Sequence, residues 1–135
     1  MDLVGRKMMD GGAAAFALLD EMATGIDAAR AQLPDLADSL SDALAALRNT
    51  TEAVIADQDL NERFAGAVPY LMAFARILGG HIHLQSALAE GGQGPRTALA
   101  RFFMGRLLPE HTGLCAQARH GAADLYALSP EELAA

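Results

Sequence analysis

The chain is 135 residues long, 52% hydrophobic and carries a formal net charge of -7, which fits one domain able to bury a core without disulfide or metal staples. The acid excess argues against nucleic acid as a partner, because phosphate binding needs a basic stripe. A single cysteine, Cys115, excludes an internal disulfide and is expected as a small buried helix residue.

Ala and Leu dominate the apolar set, Val, Ile and Thr together number twelve, and Trp is absent. Unbranched side chains and Ala keep their rotamer freedom in helices, so helix is expected throughout. Charge is uneven: Met1 to Glu62 holds twelve acidic and four basic residues, whereas Arg63 to Ala135 holds five and six. Such halves suit packing together or facing different neighbours. The start has no continuous apolar run between Asp2 and Asp10, so no signal peptide is expected and the cytoplasm is the default expectation.

The first helix is expected from about Gly12 to Gln32, with Phe16, Leu19, Ala23, Ile26 and Leu33 as its stripe, ended by Pro34. Asp35 opens the second, whose stripe is Leu36, Leu40, Leu44, Leu47, Thr51 and Val54. Asp59 is the expected N-cap of the third, with Glu62 in capping-box position. That helix runs to about Glu90 through Phe64, Val68, Leu71, Ala75, Leu78, Ile82, Gln85 and Leu88. Its interior is nearly all apolar, but Arg76, His81, His83, Pro69 and a glycine pair argue against a membrane span. Such a helix is instead buried on more than one side.

Gly91 to Pro95 reads as a turn, and the fourth helix follows from about Arg96 to Leu128 through Leu99, Phe103, Leu107, Leu114, Ala118, Gly121, Leu125 and Leu128. Pro109 should kink it, and Ser129-Pro130-Glu131-Glu132 restarts a short turn. Four such helices with short connections form an all-α, antiparallel up-down-up-down four-helix bundle occupying residues 12–135.

No chemistry-bearing motif emerges. Glu-x-x-His, HExxH, GxSxG, the P-loop and paired cysteines are absent. His81 and His83 are two apart and point to different sides of a helix, while His111 and His120 are a weak pair, so a metal site is disfavoured. Gly79 and Gly80 cost about 1 kcal/mol each relative to Ala in a helix; close approach of another element, with Gly105, Gly113 and Gly121 as the facing set, would compensate, the alternative being simple tolerance in a long helix. Arg96, Arg101 and Arg106 lie five apart and wrap around their helix, which favours salt bridges over a coenzyme-phosphate cluster. The methionines read as core filler.

DLVGRK, Asp2 to Lys7, resembles the sequence that follows the catalytic-base segment in long acyl-CoA dehydrogenases. VPYLMAFARILGGHIHLQSALA (Val68 to Ala89), ALARFFMGRLLPE (Ala98 to Glu110) and AADLYAL (Ala122 to Leu128) are similar to helices of the extra C-terminal domain of that extended subgroup. The resemblance implies a C-terminal structural and docking domain with no catalytic, cofactor-binding or metal residues of its own. Residues 1–11 would then be a cut edge continuing from an absent catalytic domain, with Met1 to about Asp10 packed loosely or only against neighbouring molecules. The parent would use FAD to oxidise an acyl-CoA, either a saturated fatty acyl-CoA or 3-methylmercaptopropionyl-CoA, to its 2,3-enoyl form. Partners would be that catalytic domain and a second subunit. Tyr70, Arg76, Gly79, Gly80, Phe102, Phe103 and Leu107 are the helix-packing and interface candidates; His81 and His83 stand where large apolar residues are expected. The alternative is a free-standing bundle that binds a small molecule or a partner protein.

Overall fold

The computed structural model describes residues 2–135. It is all-α: α1 (Ala13–Ala29), α2 (Pro34–Ala56), α3 (Leu60–Ala65), α4 (Ala67–Ala89), α5 (Pro95–Arg106), α6 (His111–Ala118) and α7 (Pro130–Leu133). Helices α1, α2 and α4, with α5 and α6 together as the fourth rod, pack as the expected antiparallel bundle. The fourth rod bends through a 3-10 turn at Leu108–Glu110, where Pro109 removes a donor.

Helix α2 follows its sequence pattern: Leu36, Leu40, Leu44, Leu47, Thr51 and Val54 are all buried. Helix α4 does not. Its buried side is Tyr70, Ala73, Ile77, Gly80, His81, Leu84 and Ala87, whereas Val68, Leu71 and Ile82 from the expected stripe are 66%, 54% and 57% exposed. In a helix apolar nearly all round, periodicity has no contrast to set its phase. Helix α5 is shifted similarly, burying Thr97, Ala100 and Met104 while Leu99 is exposed. On α1, Leu19 and Ile26 are buried as expected together with Met22 and Ala29, while Phe16 and Ala23 are half-buried.

Several local expectations change. Asp59 caps α3 by accepting from the Asn61 amide, but Glu62 completes no capping box. Its carboxylate accepts from the Ala122 amide at 2.6 Å instead, tying α3 to the chain just past the fourth rod. That rod stops at Ala118, ten residues before Leu128, and Gly121 turns the chain at φ +85°. Leu125 and Leu128 are therefore exposed. The Ser129 capping box forms.

Nor do the expected glycines face Gly79 and Gly80. A Cβ at Gly79 would meet Phe103, and one at Gly80 would lie 2.9 Å from Leu40 Cδ1, while Gly105 and Gly113 look onto open space. The tightest backbone approach is at Gly66, whose Cβ would sit 2.2 Å from the Ala118 carbonyl oxygen. Gly66 is the joint between α3 and α4, and its missing side chain lets the end of α6 close onto it.

Met1, the first residue of the expected cut edge, lies outside the described residues. The segment after it is not loosely packed: Val4 and Met8 are buried in the core. Gly11 and Gly12, both at positive φ, turn the chain into α1. Asp10 fixes that turn by accepting from the Gly12 and Ala14 amides, chiefly the Ala14 bond lowering its carboxyl pKa.

Candidate functional site

The residues singled out in the sequence separate into core and surface groups. Tyr70 is fully buried, and its hydroxyl pairs with Thr51 at 2.9 Å across the α2–α4 contact. Burial raises its pKa, so it stays a neutral phenol. Arg76 leaves α4 sideways to pair with Glu110 at the bend of the fourth rod, 2.6 Å away. Phe103 lies half-buried across Gly79 with its ring centroid 4.7 Å from that of His83. Leu107 is half-buried at the bend. Phe102, by contrast, is 60% exposed.

Two features combine on the outer side of α4. First, Val68, Leu71, Met72 and Ile82 of α4 and Leu99 and Phe102 of α5 are large apolar side chains left exposed. Arg76, engaged with Glu110, is the sole charged residue of α4. At 23 residues the helix is about 35 Å long, so its outer face is a long uncharged strip. Second, that strip borders an apolar groove of about 450 Å³ between the N-terminal segment, α1 and α4, lined by Leu3, Met8, Leu18, Leu71, Phe74 and Leu78. Lys7 stands at its wall. The phase of α4 turns Val68, Leu71 and Ile82, which the core-facing stripe placed inside, outward.

Residues 18–129 match the protein family described as acetyl-CoA dehydrogenase C-terminal like. The chain belongs to that family. No curated protein and no solved structure matches it. The family's matched region runs from Leu18 within α1 to Ser129, past the Ala123–Tyr126 turn, and so includes the whole outer face of α4 and α5.

For a member of this family the question of a flavin or coenzyme arises, and the residues present do not fit one. A dinucleotide needs amide or cationic donors for its pyrophosphate, yet the groove wall is almost entirely carbon. The N-termini of α1 and α5 are occupied by the chain's own acids. Asp10 holds the first amides of α1, and Glu90 accepts from the Arg96 and Thr97 amides at the start of α5. A carboxylate already there repels a phosphate. Arg101 pairs with Asp35, away from Arg96 and Arg106, so the three arginines form no cluster.

Among the described residues no group of three His, Cys, Asp or Glu side chains could hold a metal. His111 bonds the Leu108 carbonyl and His120 lies 3.2 Å from Asp124. Cys115 is buried. No described helix is long and apolar enough to cross a membrane. Sequence reasoning missed His81 as a buried group; its Nδ1 has no hydrogen-bond partner, and its ring fills the space beside Gly25 of α1. The glycine at position 25 was the available signal, since a missing Cβ on α1 makes room for a large side chain opposite.

Proposed function

We propose that this chain is the C-terminal structural and docking domain of a FAD-dependent acyl-CoA dehydrogenase of the extended subgroup, and that it catalyses nothing by itself. Membership in the acetyl-CoA dehydrogenase C-terminal like family carries this reading. The exposed apolar strip on α4 and α5 supports it, since a contiguous apolar surface of this length marks a protein contact. The parent's reaction would be oxidation of an acyl-CoA to the 2,3-enoyl thioester, with flavin and catalytic base supplied by its dehydrogenase region. This chain would contribute a rigid apolar platform to that region and to a second subunit.

The test is to read the coding sequence around this segment, to co-express the chain with the acyl-CoA dehydrogenase region found there, and to assay the chain alone. A stable complex is expected, with the flavin absorption band following the dehydrogenase region and no acceptor reduction by the chain alone. Absence of such a coding region, or a flavin band that stays with the isolated chain through gel filtration, would contradict the reading. The groove beside Lys7 favours a second reading, a bundle that binds an apolar small molecule. Saturable uptake of a fluorescent hydrocarbon probe, abolished by Leu78→Asp, would support it.

A further inference from the structure

The ten lysines and arginines of the chain are not used alike. Arg6, Arg30, Arg48, Arg76 and Arg101 pair with carboxylates. Arg63 and Arg119 donate to main-chain carbonyls. Among the described residues the side chains of Lys7, Arg96 and Arg106 have neither kind of partner. In a chain with seventeen acidic residues, leaving three cations unpaired is not forced by a shortage of carboxylates.

All three border the same surface. Lys7 lies beside Val68 and Leu71 at the N-terminal end of α4, where the one neighbouring carboxylate, Asp2, is already paired with Arg6. Arg106 stands one heptad after Leu99 and four residues after Phe102, so it shares their side of α5. Arg96 stands one heptad before Phe103, on the side of α5 that leans over Gly79 of α4. The outer faces of α4 and α5 contain no acidic residue. The result is an apolar strip, Val68, Leu71, Met72, Ile82, Leu99 and Phe102, rimmed by cations, on a molecule whose other half is strongly acidic.

We propose that this α4–α5 face docks a protein surface whose apolar centre is rimmed by carboxylates. The inference rests on the docking reading above and names the face and the chemistry of its partner. Charge complementarity decides between occupants. A two-fold contact with a second copy would match the face to itself and bring its cationic rim against the same cations. A surface with acidic edges instead pairs all three cations while its apolar centre covers the strip, an arrangement that steers encounter and fixes orientation.

The experiment uses the full chain and two synthetic 18-residue amphipathic helices with identical leucine stripes, one flanked by glutamates and the other by lysines. Fluorescence anisotropy would measure both Kd values at low salt and at about 0.5 M salt, where the screening length falls to roughly 4 Å. The glutamate-flanked helix is expected to bind about tenfold more tightly at low salt, from three rim pairs of ordinary exposed strength. High salt should reduce that preference to within about twofold. The double variant Arg96→Glu/Arg106→Glu should abolish or reverse it, and Ile82→Asp should weaken both helices; all three sites are exposed, and circular dichroism melts check that the variants fold. Because the molecule as a whole is acidic, a preference for the acidic helix cannot come from net charge.

Equal affinities, a preference for the lysine helix, no binding of either, or binding untouched by Ile82→Asp would each overturn the proposal. So would a dimer of the chain that Ile82→Asp dissolves, or binding confined to phosphatidylserine vesicles. If the preference appears but no dehydrogenase region co-purifies, the face stands and the dehydrogenase reading fails. If that region binds a chain carrying the arginine reversals equally well, the face fails and the reading stands.

Discussion

At the scale of single residues, the glycines differ sharply in what surrounds them. Gly105 is helical with open space at its Cβ position, so Gly105→Ala should stabilise the bundle by ~0.5 to 1 kcal/mol through backbone entropy. Gly80→Ala gains the same entropy but presses on Leu40, a fully buried side chain, and should be neutral or mildly destabilising. Gly66→Ala would meet a carbonyl oxygen that no rotamer change can move, and a loss of ~2 kcal/mol or more is expected. Urea melts of the three variants give the order directly. His81 makes a different prediction. Burial lowers its pKa, with Glu21 partly opposing, so the folded state binds its proton less readily than the unfolded chain does. The contribution of neutral His81 to stability is therefore complete above the unfolded value near 6.5 and is lost as pH falls from there through the folded value. Thermal melts should show a stability loss beginning below about pH 6.5 that His81→Leu reduces; parallel pH profiles for the two proteins would contradict it.

At the scale of elements, legibility follows contrast. On α2 the polar residues Asp38, Asp42, Arg48 and Glu52 mark one side so clearly that every residue of the opposite stripe is buried. On α4 nothing marks the outside, and the apolar period alone set Val68, Leu71 and Ile82 inside when they face out. The small residues Ala73, Gly80 and Ala87, seven apart, were the better guide to the inner side. The bend at Pro109 was legible because proline acts locally. The end of the rod at Ala118 was not, since it depends on Glu62 reaching Ala122 from sixty residues away in sequence. The N-terminal segment carries a prediction of the same kind. With Val4 fully buried, Val4→Ala should cost ~1 to 3 kcal/mol. Hydrogen exchange at the Lys7 amide, bonded to the Asp2 carbonyl, should be slowed in the parent and fast in the variant; equally fast exchange in both would show that the segment adds no stability.

At the scale of the whole molecule, acid and apolar surface are placed on different sides. Helices α1 and α2 carry seven of the acidic residues, so that side repels other acidic proteins and stays solvated. The outer faces of α4 and α5 lack acid altogether. A molecule built this way has one side suited to water and one to a neighbour. The sequence displayed the imbalance between its halves, but only the phase of α4 shows where the apolar surplus goes. The most direct measurement is hydroxyl-radical footprinting of the chain alone and in complex with the acyl-CoA dehydrogenase region that the proposed function requires. Met72, Ile82, Leu99 and Phe102 should lose most of their labelling in the complex, while Leu125 and Tyr126, exposed on the far stretch of the chain, keep theirs. Unchanged labelling of those four residues in a complex that demonstrably forms would contradict a docking role for this face.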